Sequence, residues 1–250
     1  MQKFLALIIL YFLLLPVARA EVLVLVHGYA SNALTWHFSG VSQVLISHGW
    51  QPAGAVNTND KVFYTVNLPA KEPMMVQTGI LLNQLQFIRQ SHPTDRLTLV
   101  GHSAGGLVAR LAVLHNNPAG VTRLVTIASP HLGTPRAIQG LDIAEDKPFF
   151  CPGPGWFAIK EIVGGKAYRY LRDSRGALVD MLPAGYMNLV TWANQQPHPD
   201  IEYHAIVRQY GDMLVPAVSQ DLNAIPALRG RAQVWPSHSY HLLSRQDGEI

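Results

Sequence analysis

The chain predicts an α/β fold, a mostly parallel sheet of about six strands with helices on both faces. Three observations carry this. Short β-branched and apolar runs alternate with longer stretches of helical pattern. Several of these runs are apolar almost throughout rather than at every second position, as in strands buried on both faces. And residues 97–110, LTLVGHSAGGLVAR, pass from strand to helix through a serine set between glycines. A length of 250 residues suits one large domain. With 48% hydrophobic and 14% charged residues, intrinsic disorder is excluded.

The elements follow in order. Residues 21–26 (EVLVLV) make the first strand, ending at His27-Gly28. Residues 34–47 carry a helical pattern through Trp36, Val41, Val44 and Leu45. Residues 50–60, rich in Gly, Pro and Asn, read as a loop. A strand at 62–66 and a helix at 74–89 come next, then a strand at 97–100 and a helix over 106–115. Further strands are predicted at 124–128, 201–207 and 232–235. Residues 129–200 are far longer than the dozen or so that a crossover needs. A cap insertion is therefore expected at about 136–195. It contains the Gly/Pro-rich run 148–155 (PFFCPGPG) and the aromatics Phe149, Phe150, Trp156, Phe157, Tyr168 and Tyr170.

Residues 1–20 have the pattern of a secretory signal peptide. Lys3 precedes twelve apolar residues, Pro16 breaks the run, and Ala18-Arg19-Ala20 is a small-x-small cleavage pattern. Twelve residues are short for a membrane span, which needs roughly 20. Cleavage near Ala20 would leave a single domain over 21–250, secreted or periplasmic, with no stable membrane span. The formal charge is +3, two of the positives being Lys3 and Arg19. With no basic cluster, a nucleic-acid partner is not expected. The single cysteine, Cys151, excludes an internal disulfide and a cysteine zinc site. No carboxylate cluster has metal-ligand spacing, so neither metal nor cofactor is expected.

Gly101-His102-Ser103-Ala104-Gly105 is a G-x-S-x-G elbow between a strand and a helix. The tight turn strains the serine backbone, and side chains two residues either side would crowd it. Ser103 Oγ then projects beside the positive end of the following helix, as a nucleophile requires.

With this elbow the chain resembles the α/β-hydrolase family, most closely its small bacterial secreted lipases and esterases. Val26-His27-Gly28-Tyr29, Ser129-Pro130-His131-Leu132-Gly133-Thr134 and Tyr210-Gly211-Asp212-Met213-Leu214-Val215 also carry the likeness. The resemblance implies an α/β-hydrolase fold over nearly all of 21–250. It implies an oxyanion hole from the backbone N–H of Ala104, beside the nucleophile, and of Tyr29, after the His-Gly strand. His27 is then a loop-shaping residue, because the family runs serine, acid, histidine along the chain. Asp212, just past the strand at 201–207, matches the acid position better than Asp180 or Asp200. His238 and His241 both follow the last strand. His238 lies directly beyond it and is favoured as base, since a helix beginning after Ser237 would carry His241 away. His102, His115, His198 and His204 show no partner pattern. His131, within Ser129–Thr134, is expected in the pocket wall.

The expected activity is a serine hydrolase cleaving carboxylic esters, lipid or fatty-acyl esters in particular, through an acyl-enzyme. The partner is then a small-molecule or lipid ester. A thioesterase, amidase or acyltransferase would use the same residues. A non-enzymatic envelope protein on this scaffold would lack one of serine, acid and histidine, and all are present.

Overall fold

The computed structural model describes residues 20–55, 61–145 and 165–250. The signal-like segment, the PFFCPGPG run and four of the six cap aromatics named above lie outside them.

Seven parallel strands form one sheet in the order β2-β3-β1-β4-β5-β6-β7. They are β1 (Glu21–Val26), β2 (Gln51–Pro52), β3 (Lys61–Val66), β4 (Arg96–His102), β5 (Val121–Ile127), β6 (Glu202–Arg208) and β7 (Ala232–Ser237). The count exceeds six because β2, a two-residue strand pairing Gln51 with Val62 and Pro52 with Phe63, lies inside the expected loop. Such an edge strand is too short for any periodicity. β5 starts three residues before the apolar run because Thr122 and Arg123 break the pattern, and Arg123 pairs with Glu202 of β6 at the sheet's lower rim. β7 carries Pro236 opposite Val207. Its free N–H side faces no further strand, so proline is tolerated there.

Alternation divides the core. Val22, Val24 and Val26 of β1 join Leu97, Leu99 and Leu124 on one face, together with Leu107, Val108 and Leu111. Leu25, Phe63, Ile127 and Ile206 point to the other, where Trp36, Val41 and Leu243 cover them. The helices on this second face are α1 (Thr35–Phe38) and α2 (Val41–Ser47). The sequence reads them as one helix over 34–47. Gly40, at φ +87°, separates them. On the first face lie α3 (Met74–Ser91) and α4 (Ala104–Leu114). Ten consecutive residues of α4, Ala104 to Val113, are buried. The crossover from β5 to β6 carries α5 (Pro135–Glu145), a helical stretch over 165–173, α6 (Arg175–Asp180) and α7 (Leu189–Gln195). After β6 and β7 come α8 (Ala217–Gln220) and α9 (Gln246–Glu249).

The winding reverses at β1. After β1 the chain moves outward to β2 and β3, then returns to lay β4 on β1's other side. The loops leaving β1 and β4 therefore diverge at their C-terminal ends, which is where open α/β sheets hold ligands.

The C-terminal segment is bolted to this sheet by Arg208 and Asp247, whose side chains have no exposed surface. The guanidinium grips both carboxylate oxygens and also donates to Ser237 Oγ at 2.8 Å. Removing one partner of a buried pair strands the other charge, at about 3–5 kcal/mol. Asp247→Ala should therefore lower unfolding free energy by that amount in urea titration. Arg208→Met combined with Asp247→Leu should recover most of it. A single-variant loss below about 1 kcal/mol would show that the pair does not hold the segment.

Candidate active site

β4 ends at His102, and Ser103 makes the turn into α4 with φ +52° and ψ −127°. A non-glycine residue there carries roughly 1–3 kcal/mol of strain. The flanking glycines let the backbone close up around it. A Cβ on Gly101 would meet Gly106 Cα at 2.4 Å, and one on Gly105 would meet His27 O at 2.3 Å. The turn is also held by the Ser103 N–H, which donates to Ile127 O at 2.8 Å.

Ser103 Oγ lies 2.9 Å from His241 Nε2, and His241 Nδ1 lies 2.9 Å from Asp212 Oδ2. The carboxylate can only accept, so the neutral His241 carries its proton on Nδ1 and turns Nε2 as an acceptor to the Ser103 hydroxyl. Asp212 is where the sequence puts the acid. The histidine is corrected: His241 stands between Ser103 and Asp212, while His238 is exposed and stacks on Tyr210 with centroids 6.3 Å apart. The expectation assumed a helix after Ser237. Residues 238–244 are instead irregular, and the next helix, α9, starts at Gln246. Ser239 Oγ contacts both Ser244 Oγ, at 2.8 Å, and Gln246 Oε1, at 2.9 Å. These contacts fold the loop back, so three residues of separation do not amount to a helical turn.

The Asp212 carboxylate is well satisfied. Oδ1 accepts the N–H groups of Leu214 and Val215, each at 2.9 Å, and Oδ2 also accepts from Gln220 Nε2 at 2.9 Å. Burial raises its pKa, but the hydrogen bonds from His241, Val215 and Leu214 outweigh that and hold it below the usual carboxylate value. Gln220 was not legible in the sequence. A lone glutamine on a four-residue helix has no signature. Nor was His102, which donates Nε2–H to the His241 carbonyl at 2.8 Å.

The other expected residues fall as follows. Ala104 is the first residue of α4, so its N–H has no intrahelical acceptor. Tyr29 sits on the turn after β1 and lines the cavity that contains Ser103. His27 accepts the Leu68 N–H on Nε2 at 2.9 Å and turns Nδ1 to Gly28 O at 3.0 Å, tying the loop. His131 is not in the pocket wall. It is fully buried, with Nε2 3.1 Å from Thr126 Oγ1 and Nδ1 facing Arg110, whereas Pro130 and Thr134 do line the cavity. Asp180 accepts the Met74 N–H at 2.7 Å, at the start of α3, and Asp200 is exposed. Among the described residues no group of three His, Cys, Asp or Glu could hold a metal ion.

The cavity is about 540 Å³. Its lining is apolar at Ala137, Leu171, Leu178 and Met181 of the crossover and polar at Ser31, Asn32 and Thr35. A separate hollow of about 280 Å³ lies on the second face of the sheet, between Leu25, Val41 and Ile206, away from Ser103.

Several histidines around the site are kept neutral. Burial pushes His102 down to about 4, assisted by the nearby His241 and Arg208. His198 is likewise pushed down to about 4, by burial and then by Arg110, and His131 falls well below its ordinary value for the same reasons. Arg110, itself buried, is lowered to about 9. Among the described residues no carboxylate pairs with it. Its guanidinium donates to Asn194 Oδ1 at 2.6 Å. Each lowered histidine refuses a proton that the unfolded chain accepts near pH 6.5. Stability is therefore full above about pH 6.5 and is lost as pH falls toward 4, by ~3 kcal/mol for a group shifted as far as His102. Urea titrations at pH 7 and 4.5 should show a fall of several kcal/mol. Equal stability at the two pH values would contradict neutral burial of these rings.

A family model described as "PGAP1-like alpha/beta domain" matches residues 19–144, just over half of the chain. No curated protein sequence matches. Among solved structures, the mature form of the Bacillus licheniformis lipase BlEst2 is similar at 19% identity and TM-score 0.61, over 94% of this chain and 89% of that one. A lipase-esterase related protein from Clostridium acetobutylicum aligns at 14% identity and TM-score 0.58, over 93% and 91%. An esterase from Pyrococcus furiosus aligns at 13% identity and TM-score 0.57, over 90% and 75%. At these identities the structural likeness speaks for the fold, which is that of the α/β hydrolases. With the sequence match over half its length, the chain belongs to the PGAP1-like alpha/beta domain family.

Proposed function

We propose that the chain is a serine hydrolase of carboxylic esters, with Ser103 as nucleophile, His241 as base and Asp212 as the acid that orients it. The unbroken line from Ser103 Oγ through His241 to Asp212, at 2.9 Å and 2.9 Å, carries this proposal. Ser103 Oγ attacks the acyl carbonyl and passes its proton to His241 Nε2. The imidazolium is stabilised by Asp212 and returns the proton to the leaving alcohol. The oxyanion is held by the N–H groups of Ala104 and Tyr29, each donor contributing about 3 kcal/mol. Water, deprotonated by His241, then attacks the acyl-enzyme and frees the acid.

The apolar wall of the cavity favours a fatty-acyl or other lipid ester, with the acyl chain along Leu171, Leu178 and Met181. The lipase and esterase titles of the structural relatives are in keeping with this. Among the described residues no helix is long and apolar enough to cross a membrane. In the same reading residues 1–20 are a cleaved signal peptide, the domain over 21–250 is secreted or periplasmic, and residues 136–195 are its cap.

A fluorophosphonate should label Ser103, and mass spectrometry of the digest locates the adduct. An adduct on another residue would overturn the assignment. On 4-nitrophenyl esters from acetate to palmitate, Ser103→Ala and His241→Ala should each lose at least about a thousandfold in kcat. His238→Ala should keep more than about half of the activity, because its ring stacks on Tyr210 outside the site. The reverse order of the two histidine variants would return His238 to the role of base. Asp212→Asn should lose on the order of a hundredfold or more, through loss of the acceptor that selects the His241 tautomer.

A further inference from the structure

The turn leaving β1 is braced by the middle of the β5–β6 crossover, 140 residues later in the chain. Gly28 lies against the nucleophile, where a Cβ would stand 3.0 Å from Ser103 Cβ. Tyr29 and Ala30 follow, and Ala30 has φ +55°. A non-glycine residue there needs holding from outside the turn. Two hydroxyls supply the hold. The Ala30 N–H donates to Tyr170 Oη at 3.0 Å, and Tyr29 Oη lies 2.5 Å from Ser174 Oγ.

The proton of that second contact can be assigned. Ser174 Oγ donates to the Tyr170 carbonyl at 2.7 Å, one turn back. Its single proton is committed there, so Tyr29 donates and Ser174 accepts. Burial raises the pKa of both Tyr29 and Tyr170, which keeps the phenols protonated. The two rings meet edge to face with centroids 5.2 Å apart. Ser174 itself is fully buried. The Tyr29 peptide is thus pinned on one side by its own side chain and on the other by the next N–H. Both pins belong to the same short segment.

We infer that Tyr170 and Ser174 are positioning residues of the oxyanion hole: they hold the turn so that the Tyr29 N–H faces the developing oxyanion. This rests on the ester-hydrolase chemistry proposed above. Neither side chain is assigned any contact with the reacting atoms, and both act through Tyr29. The consequence for catalysis is that the segment forming the acyl wall, through Leu171, also sets the oxyanion donor. A substrate group that displaced this segment would weaken the donor at the same time.

The test measures three things in wild type, Tyr170→Phe, Ser174→Ala and Lys71→Met: kcat and KM on a short-chain ester, the same on its thionoester, and the second-order rate of Ser103 labelling by a fluorophosphonate. Tyr170→Phe keeps the ring contact and removes only the acceptor of the Ala30 N–H. Its kcat should fall between about 5- and 50-fold with KM within about twofold, less than the loss of a whole donor. The thionoester, whose sulfur anion depends less on hydrogen-bond donors, should show a smaller loss, and Ser103 labelling should slow in step with the oxoester. Ser174→Ala should behave the same way. Lys71 packs on the Tyr170 ring and pairs with Asp173 at 3.1 Å without touching the turn. Lys71→Met should leave every value unchanged, and a loss equal to that of Tyr170→Phe would mark a merely structural effect. The inference is overturned if Tyr170→Phe keeps wild-type kcat and labelling rate, if its loss lies in KM, or if oxoester and thionoester lose equally. Failure of the wild type to label at Ser103 at all would instead sink the ester-hydrolase proposal, a result distinguishable from the others.

Discussion

Arg208 and Asp247 lie wholly out of water, and their ion pair holds the last residues of the chain against the end of β6. The same guanidinium reaches Ser237 at the end of β7, and the Arg208 N–H donates to Gln220 Oε1 at 2.8 Å. Gln220 in turn donates to Asp212. Arg208 therefore ties together the strand before Asp212, the strand before the His241 loop and the side chain that steadies the carboxylate, the first two through its guanidinium and the last through its backbone N–H. Asp247 also accepts the Ser244 N–H at 2.8 Å, closing the loop on which His241 rides. That closure acts with the Ser239 contacts and the His102 hydrogen bond to the His241 carbonyl to bring the imidazole back over Ser103, although residues 238–244 have no regular structure.

Burial keeps the imidazoles packed around this arrangement neutral. His102 lies beside His241, with ring centroids 5.4 Å apart. In the proposed mechanism a second imidazolium there would repel the one that forms during proton transfer. Its complete burial keeps it neutral, so it works as a hydrogen-bond donor to the His241 carbonyl and as packing. His27 is neutral for a related reason, burial, and serves the turn on the other side of Ser103. The site thus holds histidine in two settings that composition cannot separate, as buried donor or acceptor and as a partly exposed ring between the Ser103 hydroxyl and the Asp212 carboxylate.

Legibility in the sequence followed the range of the interactions. The elbow was readable because its constraint is local: Gly101 and Gly105 are required by backbone atoms within a few residues or at the end of the adjoining strand. The central strands were readable because burial on both faces leaves them apolar, and β5 was clipped where Arg123 serves an ion pair instead. Asp212 could be named as the expected acid from chain order and its place after a strand, and it lies beside His241. His241 was the less favoured of two candidates because the choice between histidines three residues apart depends on whether the chain coils or doubles back after Ser237. That is decided by Arg208, Asp247 and the Ser239 contacts, all remote or weakly patterned. His102, Gln220, Tyr170 and Ser174 were illegible as site residues for the same reason: each acts through a partner far away in sequence.

The long crossover between β5 and β6 gains a physical reason from this geometry. A simple connection would need only about a dozen residues. Here the chain leaves β5 through Ala128, at φ +51°, and Pro130 and Thr134 enter the cavity wall. Thr134 donates to the Leu214 carbonyl, binding this exit to the loop that holds Asp212. Residues 165–180 then return over the turn after β1, and Asp180 accepts the Met74 N–H at the start of α3. The crossover is therefore fastened near its start to the loop that carries Asp212 and near its middle to the turn after β1. The cavity between them is walled by a segment whose own placement depends on the loops that carry Asp212 and Tyr29.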